Sequence, residues 1–233
     1  MNTIFKREMK SFFYSPIAYV VIGFFIMLTG LFFWIYNINL GDPRFPVTLS
    51  TVMLFLVFLM PVITMKLLAD EKKNGTEVLL RTSPLSIKGI VLGKYFAALM
   101  VFLIMVVLTM IFPFIISFFG KISFPTLVGG YIGFFLVGAS FLSIGIFTSS
   151  VTENQIVAAM SGIVILLVMY LVQTIGVTIG GMLGSILTWV SLLSRYEEFS
   201  SGIFNFASVI FYISFTVVML FVTIANIERK RWN

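Results

Sequence analysis

The 233-residue chain contains no cysteine and no histidine. Without cysteine it has no thiolate nucleophile and no disulfide framework. Without histidine it has no imidazole for metal binding or for acid–base chemistry near neutral pH. These absences exclude intramembrane zinc proteases, rhomboid-like proteases with a Ser/His dyad, and lipid phosphatases that use a His nucleophile. We therefore expect a chain that is not itself an enzyme.

Charged residues are also scarce, at 10% of the chain, whereas hydrophobic residues make up 60%. The 15 basic and 9 acidic residues divide the sequence into long uncharged runs, each able to hold a helical span of about 20 residues. These runs cover residues 11–41, 45–65, 95–120, 122–152, 154–194 and 199–227. Too few residues remain outside them for a separate soluble domain. The sequence predicts an all-α integral membrane protein with six transmembrane helices in a single domain, 1–233.

A nucleotide-binding loop is missing as well. The nearest sequence is Gly89-Ile-Val-Leu-Gly93-Lys94-Tyr95, which has three residues between its glycines where a P-loop has four. Tyr95 also stands where a P-loop has Ser or Thr. If ATP is used, another chain must bind it together with Mg²⁺, and we expect no cofactor on this chain.

The positive charges predict the orientation. Of the 15 Lys and Arg, only Arg44, Lys121 and Arg195 lie in loops that would be external, and the others lie in the two tails and the loop between the second and third runs. By the positive-inside rule both termini are cytoplasmic. The net charge of +6 therefore marks a membrane face and does not predict nucleic-acid binding. The predicted spans cover about 17–37, 50–69, 95–118, 127–150, 155–175 and 203–226.

The fifth uncharged run is long enough for two spans. A seventh span would place the three cations of the C-terminal tail outside, so we prefer one span followed by an external hairpin or short helices, a re-entrant region at 176–200. Gly176, Gly180 and Gly184 give this region small residues at every fourth position, which allows close helix packing. That face would pack either within the subunit or in a dimer interface.

The N-terminal segment, residues 1–15, has the pattern of an amphipathic interfacial helix. Apolar residues recur with helical spacing, basic residues occupy the other side, and Ser15-Pro16 ends the helix before the first span. The apolar residues are Phe5, Met9 and Phe12, with Ile4 and Phe13 beside them, and the basic residues are Lys6, Arg7 and Lys10. The alternative is a basic tail without fixed structure.

The loop at 67–94 carries the sharpest local signals. Asn74-Gly75 is typical of a helix end, Thr76 can cap a new helix, and Ser83-Pro84 stops it. The sequence thus predicts a short helix, Glu77 to Thr82, held by a break on each side and suited to docking on a cytoplasmic partner. Ser86 would then cap the helix that leads into span 3. The alternative is an ordinary solvated loop.

Several motifs resemble ABC-2 type permeases, the membrane subunits of ATP-binding cassette exporters. Glu71-x3-Gly75-Thr76-Glu77-x-Leu79-Leu80-x3-Pro84-Leu85-Ser86, followed by Gly93-Lys94, resembles their loop between spans 2 and 3. Lys6-Arg7-Glu8 before Ser15-Pro16 resembles their start, and Ser149-Ser150-x2-Glu153-Asn154-Gln155 resembles their turn between spans 4 and 5. Arg195-x-Glu197-x-Phe199-x2-Gly202 and Glu228-Arg229-x-Arg231-Trp232 are similar to the subgroup associated with gliding motility.

The resemblance implies a permease in a bacterial cytoplasmic membrane, bound to two copies of a separate ATPase. It implies a second permease as well, either identical or different, and the different one could carry a large external domain. By carry-over, the residues that couple to the ATPase are Glu71, Gly75, Thr76, Glu77, Leu80 and Pro84, with Lys6, Arg7 and Glu8 as second contacts.

Other functions remain open. The chain could be a scaffold, in which movements of the ATPase drive remodelling or mechanical work without a transported substrate. It could also be a self-contained channel, but a channel would not explain the predicted short helix in the loop. Tyr170, Gln173 and Thr174 could line a substrate path or simply bond neighbouring helices. Outside, Arg195, Glu197 and Glu198 could dock a partner, although a salt-bridged cap is the preferred interpretation.

Overall fold

A computed structural model describes residues 1–75, 86–120 and 122–229, except for the side chain of Val190, and every regular element in these ranges is a helix. The helices are α1 (Asn2–Tyr14), α2 (Pro16–Phe33), α3 (Phe45–Lys73), α4 (Ile87–Leu108), α5 (Ile111–Phe119), α6 (Phe124–Val151), α7 (Gln155–Ile179), α8 (Gly181–Val190), α9 (Leu192–Ser200) and α10 (Phe206–Arg229), and a π-helical turn (Trp34–Asn39) extends α2. The predicted loop helix at 77–82 lies outside the described residues.

Six of these segments are long and apolar enough to cross a membrane, which confirms the predicted number of spans. They are Pro16–Asn39, Phe45–Lys73, Ile87–Phe119, Phe124–Val151, Gln155–Ile179 and Phe206–Arg229. The third is interrupted after Leu108, which the prediction of one continuous span missed. The cause is Pro113, because a proline ring clashes with the carbonyl four residues earlier, here that of Thr109.

The helices α3 and α6 form the centre of the bundle, and they are the most buried of the spans. Their facing surfaces are filled by large side chains such as Leu49, Met53, Phe134 and Phe141, none of which is exposed. The outer helices α2, α7 and α10 leave most of their apolar surface uncovered. Such surface suits contact with lipid or with a second membrane subunit.

The N-terminal segment is a separate helix, as predicted. Helix α1 ends at Tyr14, Ser15 is extended, and Pro16 starts α2. The side of α1 that faces the bundle carries Ile4 and Glu8, both buried, whereas the predicted apolar face at Phe5 and Met9 is only half-buried. Helix α1 therefore packs one face against the protein, and its second, apolar face stays partly uncovered.

The region after the fifth span contains two short helices, α8 and α9, with 10 and 9 residues, about half of the length that a span needs. Gly180, at φ +62°, breaks the helix, so α8 folds back on α7. The expected continuous glycine face is therefore absent. Instead Gly176 and Gly184 touch each other within the hairpin, since a Cβ on Gly184 would lie 2.4 Å from the Gly176 carbonyl oxygen.

Helix α9 covers the outer ends of α3, α6 and α10. The Tyr196 hydroxyl donates a 3.3 Å hydrogen bond to the Pro46 carbonyl, and Phe199 is fully buried. The expected salt bridges among the three charged residues of α9 do not form. Arg195 instead lies 4.2 Å from the Phe211 ring centre, Glu198 accepts hydrogen bonds from Asn205 and Ser208, and Glu197 accepts one from Gln173.

Candidate functional site

Helix α1 packs against the start of α4 at Gly93. A Cβ at this position would lie 3.0 Å from a side-chain carbon of Ile4, so the contact needs a residue without a side chain. One turn further along α1, Glu8 reaches Lys94, the residue after Gly93. The Gly93-Lys94 pair thus serves two purposes: the glycine lets α1 approach, and the lysine binds it.

Four charged side chains from three helices meet at this point. Lys94 Nζ lies 2.8 Å from Glu71 Oε1 and 3.0 Å from Glu8 Oε1. Arg7 Nη2 lies 2.7 Å from the same Glu8 oxygen and 2.5 Å from the same Glu71 oxygen. Each carboxylate is therefore shared by two cations. We call Arg7, Glu8, Glu71 and Lys94 the ion cluster.

The ion cluster is largely shielded from water. The Lys94 side chain is 1% exposed, Glu8 10% and Glu71 15%, whereas Arg7 at 51% closes the outer side. Burial lowers the pKa of the Arg7 guanidinium, but the hydrogen bonds and the negative charges of Glu8 and Glu71 outweigh this, so that its pKa lies above the ordinary value. The two positive and two negative charges balance, as buried ionic groups require.

The ion cluster brackets the loop that sequence predicts to couple to an ATPase. Glu71 lies in the last turn of α3, which ends at Lys73, and Gly75 at φ +68° turns the chain as predicted. On the far side of the loop, the Ser86 hydroxyl accepts a 3.2 Å hydrogen bond from Gly89 N–H and starts α4, also as predicted. The candidates Thr76, Glu77, Leu80 and Pro84 lie outside the described residues.

The turn between α6 and α7 supports the end of α3 from the opposite side. The Ser149 hydroxyl accepts hydrogen bonds from the Leu68 and Ala69 N–H groups, both 3.1 Å, and donates one of 3.0 Å to the Met65 carbonyl. In an uninterrupted helix, the Met65 carbonyl and the Ala69 N–H would be partners. Ser149 therefore inserts its hydroxyl into the helical hydrogen bonds of α3, one turn before the ion cluster.

Further polar contacts join the same helix ends. Lys72 donates to the Ser150 carbonyl, and Gln155 donates to the Asp70 carboxylate. Asn226, near the end of α10, donates a 3.0 Å hydrogen bond to the Ser150 hydroxyl. The ends of α3, α6 and α10 and the starts of α4 and α7 thus form one network with α1, which we call the charged end of the bundle.

A cavity of about 320 Å³ lies beside the ion cluster, between α1, α2 and α3. Its apolar wall includes Phe12, Ile17 and Val62, and its polar wall includes the ion cluster, Lys66 and Asp70. Because three carboxylates and three cations line it together, it has no net preference for an ion of either sign.

The proposed substrate-path residues lie at the other end of α7. Tyr170 and Gln173 are half-buried and Thr174 is exposed. Gln173 bonds to Glu197 of α9, so its amide belongs to the contact between α7 and α9. That the three residues line a substrate path stays a prediction.

Sequence reasoning missed two residues of the charged end. In the sequence, Lys94 is recognisable only as part of a motif, and Ser149 only as part of a predicted turn. A signal existed for Lys94, because it is followed by 26 uncharged residues and flanked by Leu92 and Tyr95. A charge embedded in an apolar helix needs a partner of opposite sign, although the sequence does not say which one.

Comparison with known proteins adds no relative. The sequence matches no protein-family model and has no significant match among the curated proteins.

Proposed function

We propose that this chain is the permease subunit of an ATP-driven transporter of the ABC-2 type, most simply an exporter, with ATP bound and hydrolysed by a separate ATPase. The proposal rests on the motif resemblance and on one structural observation. The ion cluster joins α1, which the resemblance assigns to ATPase contact, to the two helices that flank the assigned loop, at Glu71 of α3 and Lys94 of α4.

This geometry supports a mechanical role for the loop. Glu71 and Lys94 lie on its two sides, so a displacement of the loop acts on α3 and α4 together and, through Glu8, on α1. Ser149 extends the connection from α3 to α6, at the centre of the bundle. ATP-driven closure of an ATPase dimer beneath the loop would tilt these helices as a group and change access to a path between two permeases.

In this proposal the charged end faces the cytoplasm of a bacterial cell, in agreement with the positive-inside rule. Glu77, Leu80 and Pro84 would contact the ATPase, together with Arg7 at the outer side of the ion cluster. Glu8 and Glu71 would act from inside the chain, because their carboxylates are already held by Lys94 and Arg7. The second permease would cover the exposed faces of the outer helices.

Expression of the tagged chain with its neighbouring genes tests the proposal. We expect a P-loop ATPase to co-purify and Glu77→Lys to lower the ATPase rate of the complex at least tenfold, because it reverses a charge at the predicted contact. Lys88→Glu, a charge reversal at an exposed position on α4, serves as the control and should lower the rate less. If no ATPase co-purifies, or if Glu77→Lys leaves the rate unchanged, the proposal fails.

The second candidate is an ATPase-coupled scaffold that moves no substrate. It shares the same charged end, since a scaffold would receive the movement of the ATPase through the same helix ends. Transport by the reconstituted complex separates the two candidates, since only the exporter would accumulate a substrate in vesicles upon addition of ATP.

A further inference from the structure

Helix α1 forms an open groove with α4 on the side away from the ion cluster. The groove measures about 730 Å³, and its floor is formed by Phe5 and Met9 of α1 with Met100 of α4. Phe5 and Met9 are half-buried, and Met100 is 40% exposed. An apolar floor of this kind is left uncovered by the rest of the described chain.

Two lysines stand on the rim of this groove. Lys6 and Lys10 are exposed, and neither forms an ion pair within the described ranges. They are four residues apart on one helix, so they share a face about 6 Å apart along its axis. Among the residues that the structure describes, no acidic one lines the groove. It therefore carries uncompensated positive charge above an apolar floor.

The neighbouring cavity beside the ion cluster provides an internal contrast. It is also lined by both polar and apolar groups, but its cations are balanced by Glu8, Asp70 and Glu71. The third basic residue of the groove, Arg7, is likewise neutralised by Glu8 and Glu71. Among the basic residues of the groove, Lys6 and Lys10 therefore have no acidic partner in the described chain and can bind an anionic ligand.

We propose that this groove binds one anionic phospholipid, with the phosphate between Lys6 and Lys10 and an acyl chain along Met9 and Met100. The apolar floor favours a lipid over a free phosphate ion, since phosphate alone would gain nothing from it. The location agrees, because α1 lies beside the beginning of a span and cationic residues at such a border attract anionic headgroups. This inference does not depend on the proposed function, because the lipid binds to the chain without an ATPase.

Native mass spectrometry of the purified full-length chain tests the site, with dioleoyl phosphatidylglycerol titrated in a neutral detergent. We expect one lipid to bind with an affinity at least tenfold above that of the matched phosphatidylcholine. The double variant Lys6→Gln/Lys10→Gln should weaken phosphatidylglycerol binding about 30-fold, which corresponds to about 1 kcal/mol for each cation. Lys6→Arg/Lys10→Arg should retain binding because it keeps both charges.

A matched control removes two other lysines from the charged end. Lys73 and Lys88 are exposed and lie outside the groove, so Lys73→Gln/Lys88→Gln should bind phosphatidylglycerol as the wild type does. Equal losses in the two Gln variants, equal affinity for phosphatidylcholine, or full competition by millimolar inorganic phosphate would each overturn the proposal. The proposal would also fail if Lys6→Gln/Lys10→Gln kept its lipid affinity but no longer co-purified with the ATPase. That result would show that the groove contacts a protein.

Discussion

Replacing Lys94 by methionine is expected to lower the free energy of unfolding by about 3–5 kcal/mol, the range found when one partner of a buried ion pair is removed. Methionine has a similar length, so little packing volume is lost. The two carboxylates of Glu8 and Glu71, which now share Lys94 at 3.0 and 2.8 Å, would face each other with Arg7 as the remaining cation of the ion cluster. Denaturation of the purified chain with increasing SDS, followed by circular dichroism, measures the loss.

Two further variants make this expectation specific to the charges. Lys88→Met changes an exposed lysine on the same helix and should alter stability by no more than about 0.5 kcal/mol. Adding Glu8→Gln to Lys94→Met returns the ion cluster to one positive and one negative charge, so it should recover much of the lost stability. If Lys94→Met is as stable as Lys88→Met, the ion cluster does not hold α1 to the bundle.

Gly138→Ala is the second substitution with a large expected effect, a loss of about 1–3 kcal/mol from overpacking. A Cβ on Gly138 would lie 2.1 and 2.2 Å from two ring carbons of Phe102, which is fully buried. The ring has little room to move, because it stacks on Phe135 with a centroid distance of 5.9 Å. Helices α4 and α6 would therefore have to separate. The same SDS titration measures the effect.

Gly23 provides the matched glycine for this experiment. It lies within α2, and a Cβ there meets nothing within 4 Å, so Gly23→Ala should be neutral or stabilising by up to about 1 kcal/mol through helix propensity. Phe102→Leu removes the two clashing ring carbons. Gly138→Ala should consequently cost much less in that background, and an equal cost in both backgrounds would refute the proposed contact.

The number of spans could be predicted because it depends on local composition. Long uncharged runs set the six spans, and individual residues set several helix ends: Ser15-Pro16 after α1, Gly75 after α3 and Ser86 before α4. Each of these signals acts within a few residues of the position that it determines. The break at Thr109 was foreseeable in the same way from Pro113, although the apolar run around it conceals the effect.

Contacts between distant segments could not be predicted. Glu8 and Lys94 are separated by 86 residues, and the Ser149 hydroxyl and Leu68 N–H by 81. Hydrophobic periodicity predicted an apolar face of α1 at Phe5, Met9 and Phe12 with Ile4 beside it, and it assigned this face to the membrane surface. The bundle offered another surface at Gly93, where Ile4 packs. A charged residue on the buried side, Glu8, is accepted there since its partner lies on another helix.

The external charges illustrate the same limit. Proximity in sequence suggested that Arg195 would pair with Glu197 or Glu198, yet all three bond to groups outside α9. Arg195 and Glu197 are two residues apart and point in different directions, whereas Arg195 and Glu198 are three apart and share a face. Even there, the tertiary neighbours of each side chain decide its partner. The glycine spacing predicted close packing, which Gly176 and Gly184 provide within the hairpin, but it did not predict that the chain turns at Gly180.

Site-specific cross-linking tests the central claim most directly, namely that the loop between α3 and α4 contacts an ATPase. The chain has no cysteine, so Glu77→Cys can be labelled alone with benzophenone maleimide in membranes that contain the co-expressed neighbouring genes. Ser201→Cys, exposed after α9 at the opposite end of the bundle, is the control. We predict that illumination joins the Glu77→Cys chain, and not the Ser201→Cys chain, to a P-loop ATPase. No ATPase adduct from position 77, or an equal adduct from position 201, would contradict the account.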